Sequence, residues 1–168
     1  MLVVLAEKNF RDAEFLVPRD FWTRENIAVV TASSGKISVG RFGFCVENDF
    51  LIDEVSADDF DGIFFVGGGG ALDFLEKAAA KKLAENFEKS GKLCAAICIA
   101  PRLFLKWGLL KNRKMTGWNG DGNLPKLAAE ADAIFTGAAV ESDKNAVTAD
   151  GPSSAELLAN AVMEKLLV

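Results

Sequence analysis

The stretch that decides the fold is KLCAAICIAP, at residues 92–101. Segment 92–97 is short and largely apolar, which is typical of a strand buried in a parallel sheet. Pro101 stands where a helix favours proline, at its first position. Cys98 falls between the two. The sequence therefore predicts a strand-to-helix turn with a cysteine at its tip, the geometry of a nucleophile elbow.

Strand and helix patterns alternate along the rest of the chain. Apolar runs at 2–5, 27–32 and 63–66 predict further buried strands, and apolar residues spaced three and four apart predict one long helix over 71–90. This alternation predicts a single domain, residues 1–168, built as a three-layer α/β/α sandwich with a mainly parallel sheet. The other predicted elements are a helix at 11–25 that Pro18 kinks or delays, a hairpin at 37–47, helices from Pro101, at 123–130 and at 153–167, and short strands at 133–136 and 146–148.

Composition excludes several classes of partner. The formal net charge of −5 and a pI of about 4.9 argue against nucleic acid and against an anionic membrane surface, since both need clustered Lys and Arg. No apolar run is long enough to span a membrane, and the N-terminus does not look like a signal peptide. We therefore expect a cytoplasmic protein with free thiols. Without histidine or a CxxC pair, neither a metal nor another cofactor is expected.

The absence of histidine matters most for Cys98. Cysteine reacts as the thiolate, and histidine is its commonest activating partner. Activation here must come from a carboxyl group, from backbone N–H groups and from the N-terminus of the following helix, whose dipole is expected to lower the thiol pKa. Position alone favours equally a second interpretation, in which Cys94 and Cys98 are inert core thiols.

Other candidates lie in the glycine run 67–70, at Glu14 and at Trp118. Backbone N–H groups of a glycine run can line an oxyanion or phosphate cradle, but Leu72 breaks the dinucleotide-binding pattern and the P-loop Lys is missing. The alternative is an ordinary tight turn. A lone glutamate such as Glu14 is most often a surface residue, and Trp118 belongs either to a pocket wall or to the core.

Four segments together resemble the ThiJ/PfpI superfamily, most closely its parkinsonism-associated deglycase branch. They are FRDAEFLVP at 10–18, DDFDGIFFVGGGGA at 58–71, AAICIAP at 95–101 and TADGPSSA at 148–155. The resemblance implies a flavodoxin-like fold, of the kind also found in class I glutamine amidotransferases. It also implies a homodimer, and Arg41 lies near the place where some members direct an arginine at the partner subunit.

The resemblance assigns roles to the candidate residues. Cys98 is the reactive cysteine, and Glu14 is a protonated carboxyl group that donates to its sulfur. The backbone N–H groups of Gly67 and Gly68, with that of Ile99, face the reacting atoms. The pocket is expected to include Trp118 and Pro101.

Two departures from the family pattern limit the functions that this chain can be expected to have. Protease-like members carry a histidine where this chain has Ile99, and the deglycase branch carries one where it has Trp118. A Cys–His protease or amidase mechanism is thereby excluded. Three hypotheses follow: a redox-responsive or stress-protective cysteine protein, which needs no histidine; an enzyme acting slowly on small aldehydes or their thiol or amine adducts; and a non-catalytic scaffold.

Overall fold

A seven-stranded sheet lies at the centre of the computed structural model, which describes residues 1–167. The strands are β1 (Leu2–Val4), β2 (Lys8–Phe10), β3 (Val30–Ser33), β4 (Ile37–Gly40), β5 (Cys45–Glu47), β6 (Phe50–Leu51), β7 (Gly62–Phe65), β8 (Leu93–Ile97), β9 (Lys114–Met115), β10 (Ile134–Phe135), β11 (Val140–Asp143) and β12 (Ala146–Ala149). The central sheet has the order β11-β12-β8-β7-β1-β3-β6, and its neighbouring strands run parallel except for β11 and β12. Smaller sheets pair β2-β4-β5 and β10-β9.

Helices cover both faces of this sheet. They are α1 (Asp12–Arg24), α2 (Gly70–Leu75), α3 (Ala78–Lys89), α4 (Pro101–Lys106), α5 (Leu124–Glu130) and α6 (Ala155–Leu166). Adjacent residues of a strand point to opposite faces. Accordingly, Phe64 packs on Trp22 of α1 with ring centroids 5.4 Å apart, while Phe65 packs on Phe104 of α4 at the same separation. The predicted three-layer, flavodoxin-like sandwich with a mainly parallel sheet is confirmed.

The register of the strands brings the candidate residues together. Strands β7 and β8 are parallel neighbours, with Phe65 opposite Ala96, and β12 continues beyond β8 with Ala149 opposite Ile97. The loops that follow these strands therefore leave the sheet at the same edge, which is where open α/β sheets bind ligands.

The prediction of one long helix over 71–90 is wrong. The chain leaves helical geometry at Glu76 and is extended at Lys77, which separates α2 from α3. Helix α2 packs on β2, whereas α3 packs on β7 and β8, so one straight helix would lose one of these contacts. Pro18 lies inside α1 without ending that helix.

Candidate active site

Cys98 follows β8 directly and has φ +62°, in the left-handed region that non-glycine residues seldom adopt. Its backbone is tied down on both sides. The Cys98 N–H donates to the Ala149 carbonyl at 2.9 Å, and the Cys98 carbonyl accepts from Trp118 N–H at 2.7 Å. Such a conformation costs about 1–3 kcal/mol and persists only where its surroundings enforce it. The half-buried thiol is thus held at the edge of the sheet by the fold.

Glu14 lies in the first turn of α1 and is fully buried. Burial raises the pKa of its carboxyl group to about 7, while the Cys98 thiol, the Arg11 charge and the Gly67 N–H act in the opposite direction. Neither carboxyl oxygen makes a hydrogen bond of good geometry with residues 1–167. Glu14 is therefore partly protonated near neutral pH, unlike an ordinary glutamate, and has unused hydrogen-bonding capacity beside the sulfur.

The Cys98 thiol has a raised pKa, contrary to the expectation from the helix dipole. Burial is the main cause, followed by the Glu14 carboxyl group, and the backbone N–H groups of Gly68 and Ile99 counteract them. Helix α4 has only six residues, so its dipole is a weak source of stabilisation for a thiolate. Cys98 and Glu14 consequently titrate as a pair, which loses its first proton near pH 7 and holds its second to much higher pH.

The glycine run is shaped by close contacts at three of its four positions. A β-carbon on Gly67 would lie 2.5 Å from Glu14 Oε2, one on Gly68 would lie 2.4 Å from the Arg11 nitrogen, and one on Gly70 would overlap the Lys8 carbonyl. Gly68 also has φ +101°. Only Gly69 has open space around it. The glycine run therefore packs closely against the start of α1 and against β2. An ordinary tight turn would need fewer glycines than this packing does.

A cavity of about 410 Å³ opens beside the sulfur. Trp118 forms part of its wall, as one of the two interpretations predicted. Pro101 does not line it, because that ring is buried at the start of α4. The proline that does line the cavity is Pro152, from the turn before α6. The lining residues are Arg11, Glu14, Arg41, Gly68, Gly69, Cys98, Ile99, Trp118 and Pro152.

Sequence reasoning did not assign Arg11 to the pocket and placed Arg41 only loosely. The Arg11 N–H donates to the Gly67 carbonyl at 3.0 Å, and the Arg41 N–H donates to the Phe10 carbonyl at 2.8 Å. The Asp12 carboxylate, nearly buried, holds the turn after Arg41. The signal that could have identified Arg11 is its place in the chain, since it directly precedes the helix whose first turn carries Glu14.

The other cysteines differ from Cys98 in their surroundings. Cys94 is buried in β8, and burial raises its pKa to about 12. Cys45 is exposed on β5. Within residues 1–167, all three thiols are free, no cluster of acidic or sulfur ligands suits a metal ion, and no helix is long and apolar enough to cross a membrane.

Comparison with known proteins identifies relatives along almost the whole chain. The model of the DJ-1/PfpI family matches residues 1–165. The deglycase PfpI of Pyrococcus furiosus is 31% identical over 120 residues, which cover 71% of this chain and 72% of that protein. The crystal structure of a ThiJ/PfpI domain protein from Brachyspira murdochii superposes with a TM-score of 0.92 at 26% identity, covering 99% of this chain and 95% of the other. Oxidized DJ-1 of Toxoplasma gondii superposes with a TM-score of 0.87 at 28% identity, covering 98% and 89% of the two chains.

Proposed function

The chain belongs to the DJ-1/PfpI family, and from that premise we propose that it is a redox-responsive protein whose Cys98 is oxidised by hydrogen peroxide. One observation carries this proposal: the two unpartnered oxygens of buried Glu14 lie beside the Cys98 thiol. A protonated carboxyl group in that place can donate to an oxygen added to the sulfur. The N–H groups of Gly68 and Ile99, which already act on the sulfur, can do the same.

The chemistry needs no histidine. The Cys98 sulfur attacks one oxygen of hydrogen peroxide, the O–O bond breaks, and the pair's proton leaves with the second oxygen as water, which yields a sulfenic acid. A second peroxide oxidises the sulfenic acid to the sulfinic acid and again releases water. A sulfinate carries negative charge on its oxygens, and the hydrogen-bond donors around Cys98 can stabilise this charge.

Peroxide titration followed by peptide mass spectrometry tests the proposal. We expect Cys98 to gain two oxygens at peroxide concentrations that leave buried Cys94 unmodified. Glu14→Leu removes the donor at similar side-chain volume, so the sulfinic acid should no longer be the persistent product, whereas Glu14→Gln retains an N–H donor and part of the effect. Equal oxidation of Cys98 and exposed Cys45, unchanged by Glu14→Leu, would overturn the proposal.

A second candidate is addition of Cys98 to small aldehydes or their adducts. Two observations favour it: the cavity opens directly at the sulfur, and the Pyrococcus furiosus relative is a deglycase. Gly68 and Ile99 would donate to the developing oxyanion, and Glu14 would transfer the proton. Consumption of methylglyoxal above the level of Cys98→Ala tests this candidate, and no difference between the two proteins rejects it.

A Cys–His mechanism stays excluded, because the sequence contains no histidine. The homodimer and the cytoplasmic location expected from the sequence stay predictions.

A further inference from the structure

We propose that the cavity at Cys98 selects small electrophiles that carry a carboxylate, of the class of 2-oxo acids such as glyoxylate. This inference rests on the proposal that Cys98 reacts with small molecules, and it adds the charge of the molecule that the site accepts. It starts from Arg11 and Arg41, which line the cavity together with the sulfur.

Neither arginine is neutralised within the chain. No carboxylate of residues 1–167 forms an ion pair with Arg11 or Arg41, whereas Arg19, Arg102 and Arg113 each have one. Arg11 Nε is buried and has no hydrogen-bond partner among those residues. Among residues 1–167 the only acid that lines the cavity is Glu14, which carries at most one negative charge against two arginines and is partly protonated near neutral pH. In a protein of net charge −5, this cavity is therefore locally cationic.

The Arg11 side chain and the turn that carries Arg41 are held in place before any ligand arrives. The Arg11 guanidinium lies over the Phe42 ring, 4.9 Å from its centroid, so one face of the group is covered. Asp12 Oδ2 and Oδ1 accept the N–H groups of Phe42 and Phe44, both at 3.0 Å, and so fix the turn that carries Arg41. Little loop entropy, and little entropy of the Arg11 side chain, is then lost when an anion binds.

Arginine also suits this substrate class chemically. A guanidinium presents a planar pair of N–H donors that matches a carboxylate. Lysine is the side chain that condenses with carbonyl compounds to a Schiff base, and no lysine lines the cavity. An aldehyde bound here therefore meets a single nucleophile, Cys98.

The reaction with glyoxylate is an addition. The Cys98 sulfur forms a bond to the aldehyde carbon, and the electron pair of the C=O π bond moves to oxygen. That oxygen takes up the proton released by the Cys98–Glu14 pair, which gives a neutral hydroxyl group on a hemithioacetal. The carboxylate of glyoxylate is unchanged and stays on the arginines, and no oxidant or reductant is consumed.

The first test compares alkylation of Cys98 by iodoacetate and by iodoacetamide, which differ in charge at nearly equal size. We expect the ratio of the two rate constants to fall about fivefold in Arg11→Gln and in Arg41→Gln, the size of one partly solvated charge–charge contact. Arg11→Lys should keep most of the ratio. Arg24→Gln, at the far end of α1 and outside the cavity, is the matched control and should leave the ratio unchanged.

The second test measures protection of Cys98 from iodoacetamide by glyoxylate and by glycolaldehyde, a neutral aldehyde of similar size. We expect glyoxylate to protect at lower concentration in the unmodified protein, and this advantage to be lost in Arg41→Gln, whose exposed side chain can be changed without disturbing the core. Equal protection by the two aldehydes, or an alkylation ratio that is the same in all variants, overturns the anion preference alone. A Cys98 that iodoacetamide does not label overturns this inference and the proposed function together.

Discussion

Glu14 and Gly67 are packed so closely that a β-carbon on Gly67 would come within 2.5 Å of Glu14 Oε2 and 2.8 Å of the Cys98 β-carbon. The Glu14 carboxyl group beside the thiol therefore packs directly against the backbone of Gly67, which has no side chain. The first glycine of the run sets the distance between the two titrating groups, and any side chain there must displace one of them.

Gly67→Ala is expected to destabilise the protein by about 1–3 kcal/mol, the usual effect of forcing a methyl group into a packed site. It should also slow alkylation of Cys98, because the new methyl group displaces Glu14 or the sulfur. Gly69→Ala is the matched control: its neighbourhood is open and its backbone is helical, so stability should be unchanged or slightly increased. Urea denaturation of both variants measures the difference in the free energy of unfolding. Equal stabilities would show that the glycine run accommodates the methyl group without a loss of stability.

The pH dependence of Cys98 alkylation should follow the thiol of the pair. In the unmodified protein we expect the rate to keep rising well above the ordinary pKa of a thiol, because burial and the Glu14 carboxyl group both raise the pKa of Cys98. In Glu14→Gln the carboxylate charge is gone, so the midpoint should move downward, although burial still holds it above the ordinary value. Rates measured with iodoacetamide between pH 6 and pH 11 check this, and a midpoint that stays in place in Glu14→Gln would show that the carboxyl group does not control the thiol.

Arg11→Gln should raise the pKa of Glu14. The Arg11 charge favours the ionised carboxylate and so lowers the pKa of Glu14, and in the variant this charge no longer counteracts the effect of burial. The pH dependence of unfolding, which follows the Glu14 proton, detects the shift. Arg24→Gln serves again as the control, and a downward shift in Arg11→Gln would contradict the arrangement of charges described here.

Stability should fall with pH because of Glu14. The folded state binds its proton more tightly, with a pKa of about 7 against 4.5 for an ordinary glutamate, so this contribution is fully present below pH 4.5 and is lost as the pH rises through 7. Glu14→Gln removes the dependence. We expect the variant to gain on the order of 3 kcal/mol relative to the unmodified protein between pH 4.5 and pH 8. Denaturation curves at both pH values measure it, and a constant difference would contradict it.

Asp12→Ala should loosen the turn that carries Arg41. The Asp12 carboxylate accepts two backbone N–H groups from that turn, and loss of charge-assisted hydrogen bonds of this kind costs about 2–3 kcal/mol. Asp12→Asn keeps one acceptor oxygen and should lose less. Asp20→Ala, an exposed position on the same helix, is the control. Urea denaturation ranks the three variants, and a tie between Asp12→Ala and Asp20→Ala would refute the role of this carboxylate.

The elbow and the sheet were predictable because local signals determine them. Small apolar residues before Cys98 and a proline three residues after it specify a buried strand followed at once by a helix. The break at Glu76 was not predictable, because the apolar spacing runs through it. What separates α2 from α3 is the position of β2, a short strand whose mostly exposed residues give no apolar signal.

The chemistry of the site was harder to predict than its location. The burial of Glu14 depends on packing against Gly67, and the sequence by itself favours a surface position for a lone glutamate. The meeting of Arg11 and Arg41 depends on Asp12, which joins segments thirty residues apart in sequence. The sign of the thiol pKa shift depends on burial, which outweighs a short helix dipole.

Trp118 stands in the cavity wall of a molecule that has no imidazole anywhere. The protein therefore has no histidine signals of its own in an NMR spectrum. In Trp118→His, the introduced ring would produce the sole histidine signals in a proton NMR spectrum, so its titration could be followed without resonance assignment. The two arginines would lower the pKa of that ring, and an ionised sulfur would raise it. The pKa of this one histidine would therefore report the electrostatic potential in the cavity.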